Sequence, residues 1–171
     1  LLAAGGPQPA TAAGKAAATA ERQLERLTVT VDGHPVRVWA RRPAKAQGAV
    51  LFVHGRTWSA RPNFDLHTPS GSMSILQAFA DRGYAAYAVD LRGYGETPRD
   101  ATGWLSPTRA AADVKGALEW IAAREGGKPA LVGYSRGSVV SFLTAQTYPQ
   151  SLSLVVLYGY PGDPDVKMAP Q

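Results

Sequence analysis

Residues 130–143, ALVGYSRGSVVSFL, join an apolar run to a stretch with helical patterning through Gly133-Tyr134-Ser135-Arg136-Gly137. The pattern is Gly-x-Ser-x-Gly. In this pattern the serine hydroxyl projects as a nucleophile from a sharp strand-to-helix turn, where a Cβ at either flanking position would crowd the backbone. Glycine at 133 and 137 meets that requirement. A helix beginning here points its unpaired N–H groups, and the positive end of its dipole, at any oxyanion formed beside Ser135. Ser135 is therefore the candidate nucleophile, and the fold must place it at the end of a strand.

The chain on either side supplies such strands. LTVTV (27–31) and VRVWA (36–40) alternate around Asp32-Gly33-His34-Pro35, which predicts a hairpin. AVLFV (49–53), YAAYAV (84–89), PALVGY (129–134) and LSLVVLY (152–158) are apolar without alternation, as expected of parallel strands covered on both faces. Helices are predicted between them. SMSILQAFADRG (72–83) places Met73, Leu76 and Ala80 on one face and stops at Gly83. Residues 106–125 begin with Ser106 as N-cap and Pro107 as first helical residue, with an apolar stripe of Ala110, Val114, Ala117, Leu118 and Ile121. A third helix follows Ser135 and ends near Tyr148-Pro149. The order predicts an α/β fold: a mostly parallel sheet with an N-terminal antiparallel hairpin and helices on both faces. The segment 56–71 is expected to be a long loop.

Composition narrows the function classes. The chain has 171 residues, 45% hydrophobic and 18% charged, as a globular domain does. No run of 18 apolar residues is present, so no membrane span is expected. The absence of cysteine excludes disulfides. The net charge of +5 comes from 18 Lys and Arg scattered along the chain, without a nucleic-acid-reading motif, and is read as a solvated basic surface. No metal or organic cofactor is expected, because no ligand cluster or phosphate loop is present. Residues 1–22 are Ala-, Gly- and Pro-rich and read as a leader or linker, with small residues at 10–12 resembling a cleavage site. Export is favoured on that ground over a cytoplasmic location, and residues 23–171 are expected to form the N-terminal part of a domain.

Ligands of such sheets bind at the carboxyl ends of the strands. Those ends carry His54-Gly55-Arg56, Asp90-Leu91-Arg92-Gly93-Tyr94-Gly95 and Ser135. LFVHG, GYAAYAVDLRGYGETPR and LVGYSRGS, in that order, resemble the α/β-hydrolase fold superfamily over residues 27–160, nearest its esterase, lysophospholipase-like and peptidase branch. The resemblance implies that Ser135 attacks a substrate carbonyl and that the backbone N–H groups of Arg56 and Arg136 form the oxyanion hole. It gives the Asp90–Gly95 segment a structural role. It also implies that dehalogenase and epoxide-hydrolase chemistry, which uses Asp at the elbow, is not the reaction. The expected substrate is a small acyl compound: an ester, thioester or amide. His54, Trp58 and Tyr134 are the candidate substrate-binding residues, with Phe64 beside Trp58 as a further aromatic. The side chain of Arg136 is a candidate holder of an acidic substrate group, against the alternative of a surface salt bridge.

In that superfamily the triad acid and histidine follow the serine in the chain. Here His34, His54 and His67 all precede Ser135, and the only later acids are Asp163 and Asp165. Three explanations stand: a completing C-terminal segment beyond Gln171 or a second chain carries the base; the protein is a non-catalytic relative that binds a small molecule; or an upstream histidine substitutes. The apolar strand 152–158 favours the first, since an uncovered edge of that kind is an aggregation hazard.

Overall fold

The structure is a computed structural model and describes residues 22–160. The proposed leader and the Asp163–Asp165 segment lie outside the described residues. In chain order the elements are β1 (Glu25–Val31), β2 (His34–Arg41), β3 (Ala49–Val53), α1 (Ala60–Phe64), β4 (Asp65–Thr68), β5 (Gly71–Ser74), α2 (Ile75–Asp81), β6 (Ala85–Val89), α3 (Pro107–Glu125), β7 (Ala130–Tyr134), α4 (Arg136–Thr147) and β8 (Val155–Tyr158). The main sheet has six strands in the order β1-β2-β6-β3-β7-β8. β1, β2 and β6 pair antiparallel, while β6, β3, β7 and β8 run parallel.

The unbroken apolar runs of β3 and β6 are buried on both faces, as expected. In β3, Leu51 and Val53 meet one core while Val50 and Phe52 meet the other. β6 divides the same way: Ala85, Tyr87 and Val89 face one side, Ala86 and Ala88 the other. α3 and α4 cover the first face with Ala110, Val114, Ala117, Leu118, Ile121 and Val140. α1 and α2 cover the second through Ala60, Phe64 and Leu76. α3 starts and stops where its sequence dictates. The Ser106 side chain accepts from the Arg109 N–H, Pro107 opens the helix, and Gly126 closes it at φ 79°.

Three expectations change. The stretch 56–74 is not a plain loop but holds α1 and the β4–β5 hairpin, fastened to the body by the buried Arg41–Asp65 ion pair at 2.7 Å. The predicted 72–83 helix begins only at Ile75, behind an N-cap at Ser74, so Met73 lies on β5 and is exposed rather than on the helix's apolar face. β8 is shorter than 152–158 and is not buried on both faces. It has one neighbour in the sheet, and Leu154, Val156 and Tyr158 remain exposed.

Candidate active site

Ser135 stands at the junction of β7 and α4 with φ 52° and ψ −121°. Positive φ at a non-glycine residue costs roughly 1–3 kcal/mol and persists only where surrounding contacts enforce it. Those contacts are visible. A Cβ at Gly133 would lie 2.5 Å from the Gly137 carbonyl oxygen and from Ser138 Cα, and one at Gly137 would collide with the carbonyl oxygens of Val53 and His54. Both flanks of the turn are thus wedged between neighbouring backbones. The Ser135 N–H donates to the Tyr158 carbonyl at 2.8 Å, extending the β7–β8 ladder into the turn. The next N–H, that of Arg136, lies in the first turn of α4, where no intrahelical acceptor is available.

The turn after β3 lies against this elbow. A Cβ on Gly55 would come within 3.3 Å of the Tyr134 ring and 3.4 Å of Ser135 Cβ. The Gly55 N–H donates to Asn63 Oδ1 of α1 at 3.2 Å, and the Trp58 N–H folds back to the Arg56 carbonyl at 2.9 Å, with Thr57 at φ 72°. Arg56 therefore follows the residue that touches Ser135. Trp58 is exposed, while Phe64 is packed into the second core and faces no substrate. Tyr134 is 37% exposed and its ring stacks on Tyr158 with centroids 5.6 Å apart.

His54 corrects an expectation. It is only 1% exposed and both ring nitrogens are engaged. Nε2 accepts from the Leu91 N–H at 3.1 Å, so the proton resides on Nδ1, which donates to the Gly55 carbonyl at 2.7 Å. Burial holds its pKa below the usual histidine value, against the opposing pull of the Gly55 bond and the Asp90 charge. A neutral, fully bonded ring offers no atom to a substrate and no lone pair to the Ser135 hydroxyl. It ties the β3 turn to the β6 turn.

The other histidines are elsewhere. His67 lies on β4, with Nε2 3.0 Å from Arg41 Nη2 and 3.4 Å from Asp65 Oδ1. Arg41 pairs in register with Ala86, near the start of β6, so this cluster sits at the amino end of the parallel strands, opposite Ser135. His34 bonds the Pro98 carbonyl at 3.0 Å from β2, three strands from β7 in the sheet order. At ~4.8 Å per strand that separation is at least about 14 Å.

Asp90 has the structural role expected of it. Its carboxylate accepts from Trp39 Nε1 at 3.0 Å, the Ala60 N–H at 2.7 Å and the Glu96 N–H at 3.1 Å. Gly95, at φ 53°, leaves room that a Cβ would take from this carboxylate. One buried acid thus orients β2, the start of α1 and the loop after β6. Sequence reasoning did not single out the arginines beyond Arg56 and Arg136 that gather at this end of the sheet. Arg92 forms a bidentate pair with buried Asp113 at 2.7 Å, and Arg99 lies along Gly93. Their spacing from Asp90 within one loop is the only signal the sequence carries for them. Among the described residues no group of three or more His, Asp or Glu is placed to hold a metal ion, and no helix is long and apolar enough to cross a membrane.

A glycine-flanked serine on a strained strand-to-helix turn, at the carboxyl end of a mostly parallel sheet, defines the α/β-hydrolase class. Residues 44–170 match the family described as serine aminopeptidase, S33, and the chain belongs to that family. Solved structures agree on the fold. The epoxide hydrolase VrEH1 from Vigna radiata superposes with a TM-score of 0.60 at 25% identity, covering 78% of this chain and 38% of its own. The α/β hydrolase GrgF from Penicillium sp. sh18 gives 0.65 at 17% identity, over 79% of this chain and 45% of its own. The thioesterase domain from the curacin biosynthetic pathway gives 0.61 at 17% identity, over 78% and 43%. The chain therefore spans less than half the length of each. No curated protein sequence matches it.

Proposed function

We propose that the protein belongs to a serine hydrolase acting on carboxylic esters, thioesters or amides through an acyl-enzyme on Ser135. The observation that carries this reading is the backbone of Ser135, held at positive φ on a turn whose two glycines admit no side chain. Such strain is retained at sites that use it. In the reaction Ser135 Oγ attacks the carbonyl carbon while a base removes its proton. The carbonyl oxygen becomes an oxyanion held by the N–H groups of Arg56 and Arg136. The leaving group departs with the proton, and water releases the acyl group by the same steps in reverse. Serine rather than aspartate at the elbow supports acyl transfer over epoxide opening. The base comes from a completing C-terminal segment or a second chain, because His34, His54 and His67 are each committed elsewhere.

The same commitment of the histidines favours one second reading, a relative that binds a small molecule without turning it over. A fluorophosphonate probe separates the two. It is applied to this chain, and to the product of the reading frame continued past Gln171 if the frame is open. Absence of a triad base costs on the order of 10⁶ in turnover. The hydrolase reading expects fast labelling of the extended protein, abolished by Ser135→Ala, and little of the short chain. Labelling of neither protein favours the binding reading. Rapid labelling of the short chain refutes the external base.

A further inference from the structure

Beside the elbow opens a cavity of about 280 Å³, and both Arg56 and Arg136 stand on its wall. Its other charged residues are Arg92, Arg99 and Asp100. Four guanidinium groups therefore face one carboxylate. That carboxylate is already committed: Asp100 pairs with Arg92 at 3.3 Å and with Arg109, and accepts from the Thr102 N–H at 2.9 Å and the Thr102 hydroxyl at 2.5 Å. These bonds hold it ionised far below the usual carboxylate range. Arg92 is neutralised from behind by Asp113, which is wholly buried. Arg56 has an interaction of its own, which leaves Arg99 and Arg136. Arg99 reaches only the Gly103 carbonyl, at 3.4 Å, and among the described residues no carboxylate pairs with either side chain. Arg136 is also the first residue of α4, a helix of 12 residues whose amino end adds positive potential at the same place.

Like charges gathered in a concave site are costly unless an anion joins them, and such a site concentrates anions from solution. The remaining wall is apolar and aromatic, formed by Tyr94, Trp104 and Leu105, and Trp104 is 67% exposed. We infer that this cavity receives an acidic group, carboxylate or phosphate, borne on an aromatic or alkyl body, and that Arg136 and Arg99 hold it beside Ser135. The inference rests on the hydrolase reading for its consequence, that the acyl substrate is anionic. The guanidinium of Arg136 selects the substrate while its backbone N–H serves the oxyanion, so one residue supplies two separable functions.

The test is binding, which needs no catalytic base. Benzoate, phenyl phosphate and neutral benzamide are titrated into the protein by NMR at low salt, with the wild type, Ser135→Ala, Arg136→Ala, Arg136→Lys and Arg99→Ala. The expected result is that at least one anion binds about tenfold or more tightly than benzamide, weakening as salt is raised. Arg136→Ala and Arg99→Ala each reduce that preference about tenfold, Arg136→Lys largely restores it, and Ser135→Ala leaves it intact. Which anion binds tighter distinguishes carboxylate from phosphate. Equal Kd for the three probes, or an anion preference unchanged in both alanine variants, overturns the proposal. Arg99 is exposed on a loop, so its variant decides the matter even where Arg136→Ala disturbs α4. Anion binding where the fluorophosphonate labels neither this chain nor its extended form would retain the site and remove the hydrolase reading. Labelling without anion preference would do the reverse.

Discussion

Replacing Gly133 by alanine tests whether the elbow is wedged as tightly as its geometry says. The added methyl meets the Gly137 carbonyl oxygen and Ser138 Cα at 2.5 Å and Ser141 Oγ at 2.6 Å. Real contacts of a Cβ lie near 3.4–4 Å, so relief demands a shift of about 1 Å. Two of the three obstacles are backbone atoms of α4, which cannot rotate away. Overpacking of a tight core typically costs about 1–3 kcal/mol, and a clash with backbone belongs at the upper end, about 2–3 kcal/mol. Against a domain stability of about 5–15 kcal/mol this is large but survivable.

Urea unfolding followed by tryptophan fluorescence reads the effect. With m near 2 kcal/mol/M, the midpoint falls by about 1–1.5 M at unchanged m. Gly127→Ala is the matched control, because a Cβ there meets nothing within 4 Å and the position is exposed before Lys128-Pro129. That variant is expected to be neutral or stabilised by about 0.4–1 kcal/mol through its unfolded state. Equal midpoints for the two variants would refute the claim that the flanking glycine is there to admit the turn.

Two further outcomes follow from buried polar groups. The folded pKa of His54 lies below its unfolded value of about 6.5, so at pH 5–6.5 the unfolded chain binds more protons and stability falls with falling pH. The acids held low, Asp65, Glu125 and Asp100, act in the same direction but mainly below pH 5, because their unfolded values lie near about 4. His54→Gln should flatten the urea-midpoint slope between pH 5 and 6.5, and an unchanged slope would remove the neutral buried ring. Asp113→Ala removes the bidentate partner of the largely buried Arg92 guanidinium and should cost about 3 kcal/mol, less what its contact with Asp100 on the cavity wall retains. Glu119→Ala breaks only the exposed pair with Lys115 and should cost about 0.5 kcal/mol or less, so equal losses in denaturation would contradict the buried pairing.

What the sequence discloses depends on how far each signal reaches along the chain. The strands at 49–53 and 85–89 are legible because burial on two faces forces every residue to be apolar, whatever lies next to them. The α3 boundaries are legible because Ser106, Pro107 and Gly126 act within one turn of themselves. α1 and the β4–β5 hairpin are not. Five- and four-residue elements are too short to show a period, and they are held by partners distant in sequence, Arg41 for Asp65 and Asp90 for the Ala60 N–H. Edge position hides in the same way. The residues 154–158 are apolar, as a central strand would be, and only the strand order reveals the exposure of Val156 and Tyr158.

The site divides along the same line. Ser135, its glycines and the His54-Gly55 turn are read from contiguous residues, because the constraint is local backbone crowding. The fate of His54 is not, since its neutrality depends on Leu91 and Gly55 holding its two nitrogens together. Nor are the arginines, which become a site only when the loop after β6 is laid beside the start of α4. Asp90 does the laying. With Trp39, Ala60 and Glu96 as donors, it fixes the entrance to α1 and the course of residues 91–97 at once. The candidate oxyanion turn and one side of the anion cavity therefore depend on a carboxylate that takes no part in either. The proposed chemistry at Ser135 and the inferred selection at Arg136 and Arg99 are separable by mutation, because the first uses a hydroxyl and backbone N–H groups and the second two guanidinium side chains.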